Sequence, residues 1–301
     1  MFQSFRRAFQ KLDPATSKQE DPATSRQEEP ATSKQGRRHD TGLSKTIVLP
    51  ESAKSLIKEM ILADSSQLLR DASIRRAVVE DRLARFLEAN SEINVFKGKI
   101  EHSIPNTVEW NLDGLKHLAG FSRGDQILRV LLSIDDVAQR LQSLKVLIVG
   151  PRIEDELLAL VGWGFGPDNV RGLDLISYSP FVDIGDMHDM PYETGTFDIA
   201  ILSNVVSYST DQPKAISELL RVSASNSILA VSEACDRRPS DIGQSHFRAL
   251  FGSDSTSNAI DLTTKEIVAL FGSAAGHIIF DHPIPDGVEI GSNIVIFRKA
   301  G

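Results

Sequence analysis

Two aspartates, Asp174 and Asp186, close the short apolar runs VRGLD and FVDIGD. A carboxylate at the end of such a run accepts from two vicinal hydroxyls at once, as few neutral side chains do. Either residue also fits a plainer role, Asp174 as a turn or capping residue and Asp186 as a turn residue beside Gly185. His188, in GDMHDMP, is of the side-chain type that commonly removes a proton from a hydroxyl or an amine, against the alternative of a solvated loop histidine. Tyr208 and Ser209 stand where they would line an acceptor pocket or cap the next helix. Ser203 and Asn204, at the end of FDIAILSN, would form the floor of a cleft.

Other chemistries find little support. No GxSxG elbow, P-loop, HExxH or GxGxxG fingerprint is present. The single cysteine, Cys235, has no internal disulfide partner, and no CxxC or Cys/His cluster offers metal-ligand spacing, so no metal is expected. A lone cysteine points to a reducing, cytoplasmic compartment. The net charge of -8 is unevenly spread. Residues 1–42 hold 8 Lys/Arg and 6 Asp/Glu, leaving 25 and 35 in the remainder. An acidic body disfavours a nucleic-acid partner, and no apolar run is long enough to span a membrane, so a soluble body is expected.

Positioning these residues requires ordered elements, and the chain changes character three times. Residues 13–36 repeat an octapeptide (DPATSKQE, DPATSRQE, EPATSKQG) without any large apolar residue, which reads as a disordered spacer. Before it, Phe2, Phe5, Phe9 and Leu12 share a helical face with Arg6, Arg7 and Lys11 alongside. Residues 1–12 therefore read as a weak membrane-surface or protein-docking helix, or as a frayed end, and not as a secretory signal. From 43 to 144 the apolar spacing is helical: Ala53, Leu56, Ile57, Met60 and Ile61, then Val79, Leu83, Phe86 and Leu87. Gly98, Pro105 and Asn106 break the pattern, so 98–112 is expected to be an ordered loop lying against the active site. Helix resumes over 113–144, interrupted around Gly120 and Gly124. His102, Trp110, His117 and Arg123 in this segment read as packing or surface residues, or as the aromatic wall of a cap over a cleft.

From Lys145 to Gly301 strand-like runs alternate with helical ones: KVLIVG, EDELLALV, VRGLDLI, FVDIGDM, FDIAILSNVV, QPKAISELLRV, SILAVSE, HIIFD and NIVIFRK. The alternation predicts an α/β fold, a Rossmann-like doubly wound, mainly parallel seven-stranded sheet, with an N-terminal helical segment and a disordered tail. Ligands of such sheets sit at the carboxyl ends of the strands, here Gly150, Asp174, Asp186 and Ser203/Asn204.

The block GDMHDMPYETGTFDIAILSNVVSYSTDQPKAISELLRV resembles the third and fourth motifs of class I S-adenosylmethionine-dependent methyltransferases of type 11. The likeness spans about residues 145–235. It implies that Asp174 holds ribose hydroxyls, that Asp186 faces the adenine amino group, and that Met187 offers backbone to the ring. Phe197, Asp198, Glu218, Arg221 and Val222 match the family pattern as well.

The first motif departs from it. Where the family has an acid and then G-x-G-x-G, this chain has Ile148, Gly150, Arg152 and Glu154. Two readings stand. In one, Arg152 pairs with the methionine carboxylate and Glu154 or Glu156 with its ammonium; in the other the pocket is lost and the domain is a scaffold. The resemblance thus implies S-adenosylmethionine as cofactor, bound by Gly150, Arg152, Glu154, Asp174, Asp186, Met187, Ser203 and Asn204. It implies methyl transfer to a small-molecule or saccharide acceptor with His188 and Tyr208 as catalytic residues. The alternative is a catalytically silent binding module.

Overall fold

Valine and isoleucine crowd the short runs of the second half, and β-branched side chains favour the pleated sheet. In the computed structural model, which describes residues 49–90, 92–118, 124–236 and 262–301, these runs form seven strands. They are β1 (Val146–Val149), β2 (Val170–Asp174), β3 (Val182–Ile184), β4 (Phe197–Ser203), β5 (Ser223–Asp236), β6 (Ala275–His282) and β7 (Ile290–Lys299). The repeat tail, the candidate helix 1–12 and Arg123 lie outside the described residues.

The sheet order is β3-β2-β1-β4-β5-β7-β6. The first five strands are parallel, and β7 runs antiparallel between β5 and β6. The order reverses at β1, so the crevice between the ends of β1 and β4 is the switch point where a ligand fits. Register explains why both faces of the central strands are apolar. Val146 and Ile148 of β1, Ile199 and Ile201 of β4 and Ile294 and Ile296 of β7 pack on one face against Leu157 and Leu160. Leu147 and Val149, Ala200 and Leu202, and Val295 and Phe297 pack on the other against Ile216, Leu219 and Ile267. Parallel sheets covered on both faces read as continuous apolar runs for this reason.

The helices are α1 (Glu51–Ala63), α2 (Ala72–Ala89), α3 (Thr107–Lys116), α4 (Asp125–Leu132), α5 (Asp155–Gly162), α6 (Gln212–Val222) and α7 (Thr264–Phe271), of which α4 to α7 cover the sheet faces. Helix α6 starts on an Asp211 cap that accepts from Lys214 N, and α7 on a Thr263/Glu266 capping box. The expected amphipathic face of α1 exists, but no α1 residue is buried. The expectation of a loop over 98–112 needs correction. Pro105 and Asn106 mark only a helix entry, with Asn106 left-handed (φ 62°), and α3 begins at Thr107, whose hydroxyl donates to Ile104 O (2.6 Å). The final strand of the parallel set also begins earlier than SILAVSE, at Ser223.

The helical layer has its own apolar cluster, with Val79, Leu83, Leu115 and Leu118 on Ile153, Leu158, Ile176 and Tyr178. It is tied to the sheet domain by buried charge pairs. Arg75 of α2 donates to Asp155 of α5 (2.7 Å) and to Asp125 of α4 (3.0 Å), with Arg75 and Asp155 both inaccessible to solvent. The acids that open EDELLALV thus serve this junction as well as the helix dipole. Among the described residues, no helix is long and apolar enough to cross a membrane.

Candidate active site

The first loop sets the geometry. Gly150 has φ 70°, and a Cβ there would lie 2.6 Å from Val205 Cγ2, so both conformation and space require glycine. Arg152 keeps a glycine-like backbone (φ 53°) although it carries a long side chain. That conformation costs an L-residue roughly 1–2 kcal/mol. The Arg152 N–H donates to Asp174 Oδ2 (2.8 Å), and its Nε and Nη2 donate to Asn111 Oδ1 (3.2 and 3.0 Å). Asp174, at the end of β2, accepts on Oδ1 from Asn111 Nδ2 and Ile176 N (both 3.3 Å).

Glu154 is carried elsewhere. It is fully buried, and its Oε2 accepts from Arg82 Nη1 (2.8 Å) and Ser179 Oγ (2.6 Å). Its Oε1 has no hydrogen-bond partner among the described residues, and burial pushes its pKa up against the pull of Ser179 and Arg82.

Beyond β3, Asp186 Oδ1 accepts from the His188 backbone N–H (2.9 Å) and contacts His188 Nδ1 (2.6 Å). Burial opposes its charge, but these bonds outweigh burial and hold the carboxyl below its ordinary range. His188 Nε2 lies 2.7 Å from Ser209 Oγ. Nδ1 thus faces the carboxylate and Nε2 the serine hydroxyl. The ring is therefore buried and engaged at both nitrogens, a tie between two loops.

At the end of β4, Ser203 is wholly buried and its hydroxyl lies 3.4 Å from Ser232 Oγ. Asn204 is left-handed (φ 54°), its N–H donates to Ser232 O (2.8 Å), and its buried Oδ1 has no partner among the described residues. A strained residue with an orphan acceptor is expected where a ligand completes the site. The following turn is pinned from below. Glu233 of β5 accepts from Val206 N (2.8 Å), Ser207 N (3.3 Å) and Ser207 Oγ (2.9 Å). Burial pushes its pKa up to about 7, against the lowering effect of those bonds. On the far side, Ser103 bridges Ser209, Ile104 N donates to Tyr208 O (2.9 Å), and Trp110 meets the Tyr208 ring edge-on at 6.5 Å.

These parts enclose a cleft of about 510 Å³, open mouth included. Of the residues singled out from the sequence, Gly150, Arg152, Asp174, Asp186, Met187, Asn204 and Tyr208 line it together. Glu154, His188 and Ser203 do not line it, because each is buried and bonded behind it. Sequence reasoning missed Ser103, Thr107 and Asn111, which also line it, and Glu233 beneath it. A strand-end acid in SILAVSE was the available signal for Glu233. Among the described residues no group of three or more His, Cys, Asp or Glu is placed to hold a metal.

Two carboxylates, an arginine and an orphan amide oxygen suit the hydroxyls, carboxylate and ammonium of a nucleoside joined to an amino acid. Residues 181–279 match a family model described as a methyltransferase domain. The match begins after the first loop and Asp174 and takes in Asp186, Met187, Asn204 and Tyr208. The structure is similar to a SAM-dependent methyltransferase from Thermotoga maritima described as a possible histamine N-methyltransferase, at 18% identity over 63% of this chain and 99% of that one, with a TM-score of 0.39. It is also similar to an arsenic(III) S-adenosylmethionine methyltransferase from Chlamydomonas reinhardtii, at 18% identity over 57% and 73%, TM-score 0.36. A third similar structure is the [4+2]-cyclase SpnF, at 16% identity over 73% and 93%, TM-score 0.39. No curated protein matches the sequence.

The strand order is that of a Rossmann-like sheet, and residues 181–279 of it are similar to a methyltransferase domain.

Proposed function

We propose that the protein transfers a methyl group to a small-molecule or saccharide acceptor. The observation that supports this reading is the cleft itself, about 510 Å³ with its open mouth, a volume of small-molecule size. Ser103, Thr107, Asn111 and Tyr208 line it, and Ser103 bridges Ser209 beside it. The acidic body argues in the same direction against nucleic acid.

When bound, S-adenosylmethionine supplies a sulfonium methyl group open to in-line displacement. The chain's part is binding, alignment and exclusion of water. Asp174 and Asp186, at adjacent strand ends, take the hydroxyl and amino groups of the nucleoside, with Met187 against the ring. Arg152 takes the carboxylate and Asn204 Oδ1 an N–H of the amino acid end. Tyr208 lines the acceptor position and can accept or pass on a proton at its hydroxyl. His188 acts through Asp186 and Ser209, fixing the cofactor side to the acceptor side, and does not itself reach the acceptor. Glu154 and Ser203 serve the loop and the strand end that carry these groups.

The test is thermal unfolding of the full chain with S-adenosylmethionine, S-adenosylhomocysteine or NAD, followed by an acceptor screen for S-adenosylhomocysteine release. Ligand at 100 times its dissociation constant stabilises by about 2.7 kcal/mol, a shift of several degrees at this size. A rise with both sulfur ligands and none with NAD is expected; no rise with either sulfur ligand overturns the reading.

A further inference from the structure

The first loop lacks two of the glycines its family uses, and α3 stands where the loop lost them. Asn111 bridges the two groups that the loop presents. Its Oδ1 takes the Nε and Nη2 donors of Arg152, while its Nδ2 reaches Asp174 Oδ1. The chemistry fixes this orientation, since a guanidinium only donates and a carboxylate only accepts. One turn further along α3, Gly114 lies under the guanidinium. A Cβ there would sit 2.7 Å from Arg152 Nη1 and 3.0 Å from Cζ. The helix is bracketed by two left-handed residues, Asn106 (φ 62°) and Leu118 (φ 50°), a conformation that persists only where the surroundings over-determine it.

We propose that Asn111 and Gly114 are positioning residues of the cofactor site: Gly114 gives the Arg152 guanidinium its seat, Asn111 anchors it beside Asp174, and Arg152 so held receives the carboxylate of the cofactor's amino acid end. The inference rests on the reading that S-adenosylmethionine occupies this cleft with that end at Arg152. A glycine loop recognises its ligand with backbone amides; here a buried side chain takes over, and the helical layer becomes part of the binding site. The arginine is 6% exposed, so its rotamer freedom is given up on folding and not on binding. Preorganisation of this kind is what lets a long side chain stand in for a rigid loop.

The test compares two ligands that differ at the amino acid end. S-adenosylhomocysteine and 5′-methylthioadenosine, which lacks the carboxylate and the ammonium, are titrated calorimetrically into the full chain and into Asn111→Ala, Gly114→Ala, Arg152→Ala and the Asn111→Ala/Arg152→Ala pair. Each single change is expected to weaken S-adenosylhomocysteine about tenfold and leave 5′-methylthioadenosine within about twofold, and the pair is expected to be no weaker than Arg152→Ala alone. Arg152→Lys is not expected to restore affinity, because an ammonium cannot span the Asn111 carbonyl with a two-donor fork. Unchanged S-adenosylhomocysteine affinity in Asn111→Ala, equal loss for both ligands, or additive losses in the pair overturns the proposal. If Asn111→Ala does not fold, Gly114→Ala and Arg152→Lys carry the same comparison. A wild-type chain that binds neither ligand overturns the functional reading itself, whereas wild-type binding with an indifferent Asn111→Ala overturns only this inference.

Discussion

Replacing Glu233 by glutamine is expected to stabilise the protein above neutral pH and to change little in mild acid. The side chain is 1% exposed on a central strand, where Val206 N, Ser207 N and Ser207 Oγ are among the donors that offset the loss of water. Its pKa stands at about 7, against 4.5 for the ordinary glutamate. Below pH 4.5 both folded and unfolded chains carry the proton, and the group leaves the balance untouched. Between 4.5 and 7 the unfolded chain gives up its proton and the folded chain keeps it, so stability falls as pH rises, by about 1.4 kcal/mol per pH unit. The total penalty reaches about 3 kcal/mol by pH 7 and is flat above it. Glutamine cannot ionise and still accepts from Val206 N through its carbonyl, while the Ser207 hydroxyl can turn to meet its amide. The assay is urea unfolding of wild type and Glu233→Gln at pH 5 and pH 8. Glu154 is pushed in the same direction, so the diagnostic quantity is the difference between the two proteins and not either curve alone. A gap that opens in favour of glutamine by about 2–3 kcal/mol on going from pH 5 to pH 8 is expected. Parallel pH dependences would refute the assignment of a proton to Glu233 in the folded state.

Asp174→Asn should weaken S-adenosylhomocysteine by about ten- to a hundredfold, since a charge-assisted acceptor becomes a neutral one; calorimetric titration reads this directly, and an unchanged constant would remove Asp174 from the site. His188→Gln should lower stability by about 1–3 kcal/mol by loosening the Asp186–Ser209 tie. It should also leave the shape of the pH–rate profile as in wild type, and loss of a titrating limb would instead make His188 a base. Arg75→Met removes the buried guanidinium that donates to Asp155 and should cost about 3–5 kcal/mol in urea unfolding, with a neutral result showing that the helical layer is held by its apolar cluster alone.

The strands were legible because a parallel sheet covered on both faces leaves uninterrupted apolar runs, and KVLIVG, FDIAILSNVV and NIVIFRK are such runs. Helix α6 was read at its own limits, since Asp211, Pro213 and the apolar spacing of Ile216, Leu219 and Val222 agree locally. What was not legible is any fact set by distant partners. Nothing in GDMHDMP tells a rim histidine from one locked between Asp186 and Ser209, because Ser209 arrives from the far end of the next strand. Glu154 stands where a loop glycine is expected, and only the fold reveals that Arg82, a whole helical layer away in sequence, claims it. Asn111 lay in a stretch whose proline and glycine read as loop, although the same stretch was correctly expected to lie against the cleft.

These misses share a cause that bears on how the site works. Each residue that departs from the glycine pattern is answered by a group on the helical layer: Arg152 by Asn111 and Gly114, Glu154 by Arg82, and the adjacent Asp155 by Arg75. Had the loop simply decayed, Arg152 and Glu154 would be expected to turn to solvent, where long charged side chains are cheapest to place. Both are instead buried, and Arg152 retains the left-handed backbone that a glycine would adopt without strain. The loop's long side chains are thus held by the helical layer and not by solvent. Removing that layer should therefore abolish cofactor binding along with any acceptor selectivity it confers, and the strand-end carboxylates alone should not restore it.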